Sequence, residues 1–180
     1  MRLIRRTRFA VCTGSDLTAE LLGRVATPAD RIVLIGGSMA QTVGLAARYR
    51  LTDLCCHNPP MGFITDAAAT ESCLRFIEAH SPFRFCFLAI GSPQQEMIAQ
   101  RLQARGKARG LVLCVGAALN FLTGAEKRAP LWVQQAALEW LYRLLHDPRR
   151  LALRYLVRGP RILGHLLSGR LVLGQRPRHR

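Results

Sequence analysis

Four short apolar runs, each followed by a glycine- or proline-marked turn or a stretch of helical spacing, constrain this chain more than any other feature. RIVLIGG (31–37) has the composition of a short buried strand that ends in glycines, and SMAQTVGLAARYR after it carries helical spacing. LCC (54–56) predicts a weaker strand, closed by the turn-rich HNPPMGF. TDAAATESCLRFIEAH predicts a helix, FRFCFLAIG a strand, PQQEMIAQRLQARG a helix, and GLVLCVGAALNF a strand plus a turn. Repeated βα units require a mostly parallel sheet with helices on its faces, so the fold class is α/β. Ligands of such sheets collect outside the carboxyl ends of the strands. That rule puts Gly36–Gly37, Asn58–Phe63, Gly91–Glu96 and Gly116–Asn120 on one rim.

At 180 residues, 49% of them hydrophobic, the chain is long enough for one compact domain with a small appendage, and a disordered chain is excluded. The apolar runs are far shorter than the roughly eighteen residues a bilayer span needs. MRLIRRTRF is basic but leads into TGSD, without the apolar stretch of a signal peptide, which predicts a cytosolic protein. The six cysteines, at 12, 55, 56, 73, 86 and 114, lack CxxC spacing and mostly lie in apolar runs. They are expected to be reduced core thiols rather than metal ligands or disulfides. No DxD pair occurs, so the carboxylates that usually hold a nucleotide-bound metal are missing, and neither a metal nor a cofactor is predicted.

GSPQQE (91–96) stands where a strand turns into a helix. Ser92 suits an N-cap, Pro93 the first helical position, and Gln95 the third position of a capping box, reaching back to the Ser92 amide. A helix N-terminus at the end of a strand also presents amide donors and partial positive charge, a place for a phosphate, and the two roles are compatible. The glycines of LIGGSMAQTVG do not follow GxGxxG and are accounted for by a tight strand-to-helix turn.

The formal charge of +15 is unevenly placed. From Arg128 onward there are eleven arginines against only Glu139 and Asp147, whereas the first 127 residues carry fifteen basic and nine acidic side chains. Such a tail attracts phosphate, whether of RNA, nucleotide or anionic lipid, or is simply a solvated face. Pro130 is placed to open a helix on which Val133, Ala137, Trp140, Leu141, Leu144 and Leu145 form an apolar stripe. Asp147–Pro148 is placed to start another, with Arg150, Arg154 and Arg158 on one face, which Gly159–Pro160 ends. A basic amphipathic appendage suits a membrane rich in anionic lipid; helices packed with their arginines outward are the alternative. An RNA-binding role would rest on charge alone, since neither an RRM-like aromatic motif nor a KH-type GxxG context is present, and no nucleic-acid partner is expected.

Three blocks in order, GSPQQE (91–96), VGAALNFLTGAEKRAP (115–130) and LEWLYRLLHDPRR (138–150), resemble the signature of the WecG/TagA/CpsF family of bacterial glycosyltransferases. GSDL (14–17), LIGG (34–37) and NPPMGF (58–63) are similar to the earlier blocks of that family, so the resemblance spans about residues 12–158. It implies a Rossmann-like core over 1–126 and a basic, helical, membrane-associating appendage over 127–180. It implies transfer of an N-acetylmannosamine-type sugar from a UDP-sugar to a polyprenyl-diphosphate-linked acceptor, by a protein peripheral on the inner face of the cytoplasmic membrane, with homo-oligomerisation left open. Carried over by position, Gly62, Phe63, Gly91, Gln95 and Asn120 would line the UDP-sugar pocket, and Arg143, Arg150 and Arg154 would contact the diphosphate.

Two departures bear on catalysis. The family usually has Asp where Asn120 stands, which replaces a charged acceptor by a neutral amide. The family also has a segment before GSDL that ends in an Asp-Gly element, whose aspartate is the proposed general base. Only MRLIRRTRFAV precedes Cys12 here, and it holds no acid. The expectation is either a start that lies upstream or a shortened homologue acting as a UDP- or membrane-binding module. Asp66 and then Asp16 are the nearest substitutes.

Overall fold

In the computed structural model, residues 12–124, 130, 133 and 138–146 are described. The chain divides into two compact units, Met1–Lys127 and Arg128–Arg180. In the first unit, four strands of four residues each form one wholly parallel sheet: β1 (Ile32–Ile35), β2 (Leu54–His57), β3 (Phe85–Leu88) and β4 (Leu111–Cys114), in the order β2-β1-β3-β4. Helices α1 (Gly14–Glu20), α2 (Met39–Tyr49), α3 (Ala67–Ala79), α4 (Gln94–Arg105) and α5 (Ala118–Leu122) accompany it. The mixed, parallel α/β architecture is the one the alternating runs require.

Strand residues alternate between two apolar layers because successive side chains leave a strand on opposite faces. Val33, Ile35, Cys86 and Leu88 pack with Cys73, Leu74 and Ile77 of α3 and Ile98 and Leu102 of α4. Ile32, Leu34, Phe85 and Phe87 pack on the other side with Leu45 of α2 and Leu119 and Leu122 of α5. The central strands β1 and β3 are buried along their whole length, whereas β4 at the sheet edge leaves Leu111 51% exposed. The run LVLC is therefore an edge strand, and the segment after it, expected as a turn, forms the short helix α5.

Helix ends follow their local chemistry. Ser38 caps α2 in a complete capping box with Gln41, Asp66 caps α3 by accepting from the amides of Ala68 and Ala69, and Gly106 ends α4 in the left-handed conformation. Between α3 and α4, Arg105 pairs with both Glu71 and Glu78.

The cysteines are free thiols. Cys73 and Cys86 are buried, and burial pushes the Cys73 thiol up to about 11. Cys12 and Cys114 are exposed, which corrects the expectation of core placement for those two: Cys114 ends the edge strand. In the second unit, Glu139–His146 is helical. The expected helix from Asp147 lies outside the described residues.

Candidate functional site

Strand order reverses between β1 and β3, because the chain runs outward from β1 to β2 and in the opposite direction from β3 to β4. The crevice at the carboxyl ends of β1 and β3 is where a sheet of this kind binds ligands. At its base Gly36 has φ +95°, and a Cβ there would lie 2.9 Å from the Ala89 carbonyl oxygen. Only glycine lets the two backbones come this close.

The loop from β4 to α5 is tied to both neighbouring turns. Gln95, at the start of α4 and 8% exposed, accepts a hydrogen bond at 2.9 Å from the Gly116 amide through Oε1, and its Nε2 donates to Glu96 Oε1 at 2.9 Å. Asn120 on α5 accepts at 2.8 Å from Nε2 of Gln41 on α2. The GSDL block joins the same end of the sheet: a side chain at Gly14 would meet the Val115 carbonyl oxygen at 3.6 Å. There Thr13 caps α1 and donates to Asp16 at 2.8 Å.

The capping box expected at GSPQQE is not formed. The N-cap of α4 is Pro93, without a side-chain cap, and the oxygen of Gln95 goes to Gly116, 21 residues away, instead of back to Ser92. The start of α4 thus has no side-chain cap from its N-cap residue, with Gly91 in the left-handed conformation just before it and Glu96 in its first turn. Such a turn can receive an anion.

The other predicted residues are placed as follows. Gly62 is exposed and left-handed at φ 76°, and Phe63 is only 5% exposed, its ring inside the core layer of α3 and α4, so this turn faces solvent through Gly62 and its backbone. Asp66 holds two α3 amides and Asp16 accepts from Thr13, so both acids serve helix starts. Arg143 lies in the helix Glu139–His146; Arg150 and Arg154 lie outside the described residues. Gln41 was not among the predicted residues, although the spacing Ser38-x-x-Gln41 is a capping-box signal. His57, which ends β2, stacks on Phe76 at 5.1 Å, and burial lowers its pKa from the usual imidazole value.

Among the described residues no three His, Cys, Asp or Glu side chains are grouped so as to hold a metal ion, and no helix is long and apolar enough to cross a membrane. Compared with known families, the chain matches the model of the Glycosyl transferase WecG/TagA/CpsF family over residues 1–176.

Proposed function

This chain belongs to the WecG/TagA/CpsF family of glycosyltransferases, and on that premise we propose that it moves an N-acetylmannosamine-type sugar from a UDP-sugar to a polyprenyl-diphosphate-linked acceptor in cell-surface polysaccharide assembly. The observation that carries this reading is the turn from β3 into α4, where left-handed Gly91 and a helix start without a side-chain cap follow the carboxyl end of a central strand while Gln95 braces Gly116. In this reading Gly62, the backbone of Phe63, Gly91, Gln95 and Asn120 line the donor pocket. The acceptor hydroxyl displaces UDP directly at the anomeric carbon, and negative charge that develops on the departing diphosphate is met by backbone amides and by Arg143, Arg150 and Arg154. The segment 127–180 attaches to anionic lipid on the inner face of the cytoplasmic membrane, where the lipid-linked acceptor resides.

A second reading, a module that binds UDP and membrane without turnover, is favoured by the commitment of Asp66 and Asp16 to helix starts. Calorimetry with UDP, combined with an assay of UDP release in the presence of a polyprenyl-diphosphate-GlcNAc analogue, separates the two. The expected result is UDP binding with slow but measurable release, because Asp66 and Asp16 are engaged at helix starts and loss of a positioned base typically costs a factor of about 100 to 10,000; UDP binding with no release above background would leave only the second reading. Turnover near 1 per second or faster, the ordinary enzyme range, would establish a base within these residues and remove the second reading. Absence of UDP binding would remove both.

A further inference from the structure

We propose that Gln41 is a positioning residue that fixes the orientation of the Asn120 side chain at the rim of the sheet. The two amide groups form a chain whose polarity is set by one backbone donor. The Ser38 N–H donates to the Gln41 side chain at 2.8 Å, and an N–H can only donate, so the atom of Gln41 that faces it is the carbonyl oxygen. The opposite end of Gln41 is therefore its NH2 group, which has no acceptor capacity, so the atom of Asn120 at 2.8 Å from it is Oδ1. The lack of a side chain at Gly37 leaves room for this arrangement: a Cβ there would lie 3.3 Å from Gln41 Oε1 and 3.6 Å from Leu119. The link joins the helix after β1 to the helix after β4 and so passes across the end of β3, the strand between them. A second bond between the same helices, from Arg48 to the Leu122 carbonyl at 2.6 Å, holds them at a fixed separation.

Gln41 offers a donor, which serves Asn120 and an aspartate at that position equally well. A carboxylate in place of the Gln41 amide would not. In Gln41→Glu the new side chain still accepts from Ser38 N–H and keeps the capping box, since Glu and Gln both serve at its third position. It can no longer donate, so the present bond to Asn120 Oδ1 is lost and the surroundings of the Asn120 amide change.

The consequence for ligand affinity rests on the donor-pocket reading above, so the test uses two readouts without ligand and one with it. In 15N-labelled full-length chain, the side-chain NH2 signals of Asn120, assigned by their loss in Asn120→Asp, should shift in Gln41→Glu; unmoved signals would overturn the proposal. Melting of Gln41→Glu should stay near that of the unaltered chain, Asn120→Asp should be tolerated, and the double variant, with two carboxylates facing each other, should melt lower than the sum of the single effects. Additive effects would also overturn it. UDP affinity of Gln41→Glu should fall about three- to tenfold, the effect of one misdirected hydrogen bond, with no matching loss of melting temperature. An unchanged UDP affinity, despite shifted Asn120 signals, would show that the orientation has no part in the site. If the unaltered chain does not bind UDP, the donor-pocket reading fails, and the signals and the melting alone decide the role of Gln41.

Discussion

Gln95 and Gln41 each follow a serine by three positions and each stand at the beginning of a helix, yet only Gln41 forms the capping box that this spacing encodes. The difference is tertiary. The Gly116 amide, 21 residues away, reaches the oxygen of Gln95 first, and no local pattern announces it. In Gln95→Ala, Gly116 N–H would keep only its longer contact to the Leu88 carbonyl at 3.3 Å. The expected loss is about 1–3 kcal/mol of folding stability, read by chemical denaturation, together with weaker UDP binding by calorimetry. Reduced UDP affinity with full stability would mean that Gln95 serves the ligand alone. Asp66 was legible as a residue beyond the NPPMGF turn but not as the cap of α3, although Asp before Ala67–Ala69 is a normal helix start.

Helices α3 and α4 cover one face of the sheet, with Ile77 and Ile98 fully buried. Either residue changed to alanine should cost about 2–5 kcal/mol, whereas Val43→Ser on the exposed face of α2 should stay within about 0.5 kcal/mol; equal losses in urea titrations would contradict the two-layer arrangement. The same helix pair carries a pH-dependent tie. Hydrogen bonds from Arg105 and then Arg75 hold the Glu71 carboxyl down at about 2, against an ordinary 4.5. Its folded pKa is depressed, so its contribution is complete above about pH 4.5 and is lost as pH falls toward 2. Glu71→Gln should therefore flatten the fall of stability over that acid window; an unchanged slope would show the tie to be without effect. Helices α2, α3 and α4 were legible from spacing to within one or two residues, whereas α5 was expected as a turn and α1 only as a helix-starting turn. The strands were legible as runs: three of the runs outlast the neighbours available for pairing and shorten to four residues, LCC gains His57 as its fourth, and β4 was not recognisable as an edge from its apolar letters.

Charge separates the two units of the chain, and only the sequence could show it. The eleven arginines from Arg128 onward predict attachment to anionic vesicles that weakens with salt, at about 1 kcal/mol per basic residue near the surface. Changing Arg149, Arg150, Arg154 and Arg158 to glutamine in the full chain should release it from phosphatidylserine vesicles at moderate salt in a sedimentation assay; undiminished binding would move the attachment elsewhere. Crevice position was legible in the order of the βα units, but the ties across it were not, since the Gln41–Asn120 bond joins residues 79 apart. That separation also has a meaning in time. The central strand β1 leaves the ribosome before either of its neighbours, and the sheet can only grow outward from it as later strands arrive, non-local contacts of this kind being slow to form. Because both ties end in the β4–α5 segment, a nascent chain can assemble most of its interior while the crevice still gapes, and the crevice takes its shape only once that segment has arrived.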